Sequence, residues 1–144
     1  MADGLLLDTN VLIDLARNSP RAPIWRPLVA DKVPIVCFVT VADCGRKRSS
    51  RPTVHELRRT LRATVNSLVV VPSTDDLAEE RAKVVTEARG LGQALGAAEL
   101  GKNVHAQDAW IAATARLHGL PLLTGNRRHF EGLPGLQLVD LPDS

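Results

Sequence analysis

Three aspartates and one asparagine stand where this sequence could bind a metal ion. Asp8 ends an apolar run, Asp43 follows a second one, Asp108 lies on a helical segment with small and apolar neighbours, and Asn126 follows a later apolar run. Clustered carboxylates repel one another unless they are protonated or neutralised, and oxygen donors favour Mg²⁺ or Mn²⁺. Such a cation binds a phosphate oxygen and activates a water, so the set indicates metal-assisted phosphodiester hydrolysis.

Each of these residues also has a purely structural interpretation when taken alone. Asp8 could cap the following helix, and Asp43 could be an exposed acid in a helix's first turn. Asp108 could complement the dipole of its helix, and Asn126 could be an ordinary turn residue. The functional interpretation therefore depends on the fold bringing them together.

Apolar runs alternate with amphipathic segments along the chain, which predicts strands alternating with helices. We expect strands at residues 5–7, 34–39, 69–71, 121–123 and 136–141, and helices from residue 11, within 20–31, at 53–68, at 75–89 and at 105–118. Thr40 is a candidate N-cap for a short helix carrying Asp43, and residues 90–103 fit either a loose helix or a loop. This alternation favours a mostly parallel sheet with helices on both faces, in which functional groups collect beyond the strands' carboxyl ends.

Length and composition agree with one α/β domain spanning residues 1–144. Hydrophobic residues make up 44% of the 144 residues and aromatic residues only 3%, so the core must be built mainly from aliphatic side chains. No secretory signal or membrane-spanning run is recognised, and the two cysteines lack metal-ligand spacing, so we expect a cytoplasmic protein. Seven basic residues between Arg46 and Arg62 could bind phosphates or an acidic partner, or form a solvated helix face.

Three segments of the sequence resemble the conserved motifs of PIN domains, and they occur in the family's order. They are Leu-Leu-Leu-Asp-Thr-Asn-Val-Leu-Ile at residues 5–13, Asp-Ala-Trp-Ile-Ala-Ala-Thr-Ala at 108–115, and Leu-Leu-Thr-Gly-Asn-Arg-Arg-His-Phe at 122–130. The resemblance extends to about Leu141. It implies a PIN-like three-layer α/β/α sandwich with a mostly parallel twisted sheet of about five strands.

The resemblance also implies a catalytic set consisting of Asp8, Asp43, Asp108 and Asn126. Asp8 and Asp108 match the family's Mg²⁺ or Mn²⁺ ligands, whereas Asp43 stands where a glutamate is usual, so its ligation could be water-mediated. Asn126 matches a variant of the last acidic position and is expected to bind metal-bound water or phosphate.

Residues beside that set receive supporting roles from the same resemblance. Thr9 and Thr124 are expected to orient the carboxylates through hydrogen bonds. Arg127 and Arg128 could contact substrate phosphates or lie in an exposed turn. His129 gives no independent signal.

The short chain is similar to VapC-type toxins of VapBC toxin–antitoxin systems. That similarity implies an endoribonuclease, a homodimer and a cognate VapB-type antitoxin, with no direct DNA binding by this chain alone. Two other functions remain open: a catalytically weak or inactive RNA- or protein-binding module on the same fold, and a phosphatase of the haloacid-dehalogenase type. The latter family has a second aspartate two residues after its nucleophile, where this chain has Asn10.

Overall fold

The computed structural model of the chain describes residues 3–41, 59, 68–95 and 103–141. In chain order its elements are β1 (Asp3–Leu7), α1 (Thr9–Arg17), α2 (Ala22–Val29), β2 (Lys32–Cys37), helical residues 38–41, β3 (Val69–Val71), α3 (Asp75–Leu95), α4 (Asn103–His118), β4 (Leu122–Leu123) and a 3₁₀ turn (Arg127–His129). None of the helices in these ranges is long and apolar enough to cross a membrane.

The four described strands form one parallel sheet in the order β3-β2-β1-β4. From β1 the chain moves outward to β2 and β3, and it then returns across the sheet to place β4 on the other side of β1. The strand order therefore reverses between β1 and β4. In open α/β sheets a crevice forms at such a reversal, beyond the carboxyl ends of the strands, and ligands bind there.

Both faces of the sheet are covered by helices, as the apolar strands require. Leu5 and Leu7 of β1 point toward the α1 and α2 side, where they pack in a core that contains Trp25. Leu6 points to the opposite face and packs in a core with residues of α3 and α4, among them Leu77. The period-two alternation of β1 thus places its side chains in two cores, and the expected three-layer α/β/α sandwich is confirmed.

The fifth strand expected at residues 136–141 is wrong as a strand. Within the described residues this segment makes only an isolated parallel bridge between Leu122 and Leu138. The carbonyl of Val139, which would accept the next ladder hydrogen bond, accepts one from Arg127 Nη1 instead, at 2.6 Å. The Val139 carbonyl is thus bonded to a side chain, and the parallel pairing does not extend beyond the Leu122–Leu138 bridge.

Two other boundaries differ from expectation. The second strand ends at Cys37, and residues 38–41 are helical, so Thr40 lies inside the helical stretch and is not its N-cap. Residues 90–95, where a helix and a loop were both open, continue α3 to Leu95. Asp43, Cys44 and most of the expected helix at 53–68 lie outside the described residues. Of that helix the structure describes Arg59, which is helical and exposed, and Leu68, which is not helical.

Replacing Leu6 with alanine tests the central position of β1 in the packing. Leu6 is fully buried, so Leu6→Ala should lower the free energy of unfolding by about 3 kcal/mol, measured by urea denaturation. Leu117→Ala is the control, because Leu117 is 37% exposed and its loss should cost less than about 1 kcal/mol. Equal effects of the two substitutions would contradict the described packing.

Candidate functional site

Asp8 lies at the carboxyl end of β1, next to the reversal of strand order, and caps α1. Its Oδ1 accepts a hydrogen bond from the Thr9 main-chain N–H at 2.7 Å, and its Oδ2 accepts one from the Thr124 hydroxyl at 2.6 Å. Its own N–H donates to the Leu123 carbonyl at 3.0 Å, which ties the end of β1 to the end of β4. Asp8 is therefore both a helix cap and part of the crevice, and the two interpretations of its sequence position are compatible.

The Asp8 carboxyl is 4% exposed, and burial raises its pKa above the ordinary aspartate value of 3.8. The hydrogen bonds from Thr124 and from the Thr9 main chain, together with electrostatic attraction to His129, act in the opposite direction and lower that pKa. Burial is the larger effect, so the ionised form of Asp8 is incompletely stabilised by the protein groups around it. A bound cation would supply the missing stabilisation.

His129 connects Asp108 to the surroundings of Asp8. Its Nδ1 lies 2.8 Å from Asp108 Oδ2, and the same imidazole acts electrostatically on Asp8. Asp108, on α4, and Asp8, after β1, are 100 residues apart in sequence but share this histidine as a neighbour. We call Asp8, Thr124, His129 and Asp108 the carboxylate site.

Sequence reasoning assigned no role to His129, although the sequence contains one relevant signal. Phe130, the next residue, is 1% exposed and packs in the core beside α4, so it holds the 3₁₀ turn Arg127–His129 against the protein. A polar side chain next to such an anchor, three residues after a strand-end asparagine, is placed close to the ends of the strands.

The two threonines differ in what their hydroxyl groups contact. The Thr124 hydroxyl donates to Asp8 and also accepts a hydrogen bond from the Asn126 main-chain N–H at 3.0 Å. The Thr9 hydroxyl instead pairs with the Thr40 hydroxyl at 3.0 Å, and Thr9 contacts Asp8 through its main chain. Since Thr40 lies three residues before Asp43, this pair joins α1 to the segment that leads toward Asp43.

The remaining expected site residues lie in the turn after β4. Asn126 and Arg128 are exposed there. The Arg127 guanidinium donates to the Val139 carbonyl, and its Nε lies 3.8 Å from a carboxylate oxygen of Glu131. Arg127 thus has a structural role in holding the segment that follows the turn.

The donors of the carboxylate site fit a hard divalent cation. Mg²⁺ usually keeps several waters and takes only one or two protein carboxylates, which Asp8 and Asp108 could provide. In the ranges 3–41, 59, 68–95 and 103–141, no group of three or more His, Cys, Asp or Glu side chains is arranged to hold a metal. Asp43 lies beyond these ranges, so Asp8 and Asp108 are the only carboxylates of the expected ligand set that the structure describes.

A family model described as the PIN domain matches residues 5–136. The chain belongs to the PIN-domain family. The match includes all three motifs on which the resemblance rested and every residue of the carboxylate site. No match was found among curated protein sequences.

Solved structures agree with this assignment of the PIN domain. VapBC2 from Rickettsia felis, bound to a DNA fragment from its promoter, matches with 16% identity, 96% coverage of this chain, 98% coverage of that chain and a TM-score of 0.61. FitAcB from Neisseria gonorrhoeae matches with 23% identity, coverages of 94% and 96%, and a TM-score of 0.62. A toxin–antitoxin complex from Klebsiella pneumoniae matches with 27% identity, coverages of 92% and 95%, and a TM-score of 0.55.

The raised pKa of Asp8 predicts how this PIN domain responds to pH. A carboxyl whose pKa is higher in the folded state binds its proton more tightly there, so its contribution to stability is complete below pH 3.8 and is lost as pH rises through the raised value. Asp8→Asn should therefore raise the free energy of unfolding at pH 7 without divalent ions, and the gain should shrink as pH falls toward 3.8.

Urea denaturation across a pH series measures this effect. Asp31→Asn is the matched control, because Asp31 is exposed and its neutralisation should leave stability nearly unchanged. A loss of stability in Asp8→Asn at pH 7 would mean that the hydrogen bonds outweigh the cost of burial.

Proposed function

We propose that this chain is a single PIN domain acting as the toxin of a VapBC-type toxin–antitoxin pair, a Mg²⁺- or Mn²⁺-dependent endoribonuclease. The observation that carries the proposal is the buried Asp8 carboxylate at the strand reversal, on which His129 acts electrostatically while its Nδ1 lies 2.8 Å from Asp108 Oδ2. We expect Asp8 and Asp108 to share one divalent ion, as a phosphodiesterase centre requires.

The residues in and near the carboxylate site would have different roles in the reaction. A bound divalent ion would polarise a phosphate oxygen and would lower the pKa of a water for attack on phosphorus. Asp8 and Asp108 would hold that ion, with Asp43 as a third ligand. The hydrogen bond from Thr124 to Asp8 Oδ2 fixes the orientation of the Asp8 carboxylate. Asn126, exposed in the turn after β4, would bind a metal-bound water or a phosphate oxygen.

The similar solved structures support a protein partner of the antitoxin class. The Rickettsia felis structure is a VapBC2 complex on promoter DNA, and the Klebsiella pneumoniae structure is a toxin–antitoxin complex that covers 92% of this chain. We infer a cognate VapB-type antitoxin for this chain, and DNA binding only as part of that complex. We also infer a homodimer and a cytoplasmic location.

Loss of either carboxylate should abolish RNA cleavage. Asp8→Ala and Asp108→Ala should each lower the rate by at least about a hundredfold, because each removes a metal ligand. The measurement combines a cleavage assay with sequencing of RNA 5′ ends in cells after induction of the chain. Asp31→Ala, which removes an exposed acid, should cut at the parent rate. Parent-like cleavage by Asp8→Ala would exclude Asp8 from the reaction.

The same assay separates the nuclease from a binding module. If the parent chain retains RNA without shortening it at saturating Mg²⁺ and Mn²⁺, the inactive binding module is favoured and the nuclease is rejected. Phosphoenzyme trapping is a separate experiment, and a phosphoenzyme on Asp8 would favour the phosphatase alternative.

Metal binding should be visible without any activity. Mg²⁺ at ten times its Kd should stabilise the parent chain by about 1.4 kcal/mol, because an ion that binds only the folded state shifts the unfolding equilibrium. Asp8→Asn should start from a higher melting temperature and gain little from added Mg²⁺. Equal Mg²⁺-dependent shifts in the melting temperature of the two proteins would contradict a role for Asp8 in holding the ion.

A further inference from the structure

Arg21 is an exposed residue at the start of α2 whose guanidinium nevertheless has a defined position. Its Cζ lies 5.0 Å from the centroid of the Trp25 ring, one helical turn later. Trp25 itself is fully buried, and its indole N–H donates to Asp14 Oδ2 at 2.9 Å. The ring is therefore a fixed platform, and cation–π stacking holds the arginine over it.

Gly125 shows where that guanidinium lies relative to the carboxylate site. A Cβ atom added at Gly125 would stand 3.2 Å from Arg21 Nη1 and 3.3 Å from Nη2, closer than most real contacts. Gly125 directly follows Thr124, whose hydroxyl donates to Asp8. The planar face of Arg21 thus lies against the loop after β4, and the absence of a side chain at position 125 permits this approach.

The N–H donors of Arg21 are not used by a carboxylate in the described residues. By contrast, Arg116 pairs with Glu80 and Glu87, and Arg127 donates to the Val139 carbonyl. Arg81 also stacks on an indole ring, that of Trp110, but among the described residues Arg21 is the stacked arginine that lies against the loop after β4. A pre-positioned guanidinium with unused donors, at the rim of a crevice that would bind RNA, is suited to an anion.

We propose that Arg21 binds a backbone phosphate of the RNA strand that lies across the carboxylate site. This inference rests on the proposed function, because it takes RNA as the ligand. The planar guanidinium of arginine can donate N–H groups to two phosphate oxygens at once. Stacking on Trp25 reduces the side-chain entropy that is lost on binding. Arg21 lies against Gly125, which directly follows Thr124, the residue whose hydroxyl donates to Asp8. A phosphate bound by Arg21 would therefore lie beside the loop that contacts Asp8.

RNA binding is measured in an Asp8→Asn background, so that cleavage does not interfere. The probe is a fluorescently labelled single-stranded RNA of mixed sequence, followed by anisotropy over a series of salt concentrations. Arg21→Gln should weaken binding about tenfold, and the slope of log affinity against log salt should fall by about 0.7, the value for one lost phosphate contact. Arg21→Lys keeps the positive charge but loses the paired N–H donors of the guanidinium. Its RNA affinity should therefore lie between those of the parent and of Arg21→Gln.

Gly125→Ala and Lys32→Gln complete the design. Gly125→Ala keeps Arg21 but displaces its guanidinium, so it should weaken RNA binding without changing the Mg²⁺-dependent thermal shift of an otherwise unsubstituted chain. Lys32→Gln removes one positive charge at the amino end of β2, the opposite edge of the sheet, where Lys32 is paired only with the exposed Asp3. It should leave affinity and salt slope unchanged.

Two results overturn the inference: parent-like affinity and slope in Arg21→Gln, or parent-like affinity in Gly125→Ala. Cleavage by the unsubstituted chain is scored separately, so the proposals fail independently. If RNA is cut but Arg21→Gln binds it normally, only the role of Arg21 is lost. If RNA is bound through Arg21 but never cut, the nuclease is rejected and the phosphate contact is supported. A chain that binds no RNA overturns both.

Discussion

The structure around the crevice depends on one buried carboxylate held between two strands. Asp8 accepts a hydrogen bond from the Thr124 hydroxyl, and its main-chain N–H donates to the Leu123 carbonyl, so the same residue joins β1 to β4 through both backbone and side chain. Burial raises the pKa of this carboxyl, and the hydrogen bonds compensate only in part. The fold therefore holds a carboxylate whose ionised form is incompletely stabilised, at the point where the strand order reverses.

The segment after β4 makes several contacts around this carboxylate. The motif at residues 122–130 supplies three contacts to the same region: Thr124 to Asp8, the Thr124 hydroxyl to the Asn126 N–H, and His129 to Asp108. The 3₁₀ turn that carries His129 is anchored by the buried Phe130 and by the Arg127 contact with the Val139 carbonyl. The same carbonyl belongs to the last apolar segment, which pairs with β4 only through the Leu122–Leu138 bridge.

Most of the architecture could be predicted from the sequence, because it depends on local patterns. The apolar runs at residues 5–7 and 121–123 and the helical periodicity around them follow from side-chain burial, which acts over a few residues. The motif residues Asp8, Thr124 and Asp108 were identified because they stand in segments that resemble PIN-domain motifs, and the family match over residues 5–136 agrees with them. The predictions that were wrong concern where strands end. At Phe38 and at residues 136–141, tertiary contacts rather than local propensity decided where a strand ends.

What the amino-acid sequence alone determined was the alternation of strands and helices, the family, and the identity of the polar residues at the strand ends. What only the tertiary structure decided was which of these residues meet. The contact of His129 with Asp108, the pairing of the Thr9 hydroxyl with Thr40, and the position of Arg21 against Gly125 each join residues from different elements. Periodicity carries no information on such contacts, because they depend on how whole elements pack and on the distances between atoms that result.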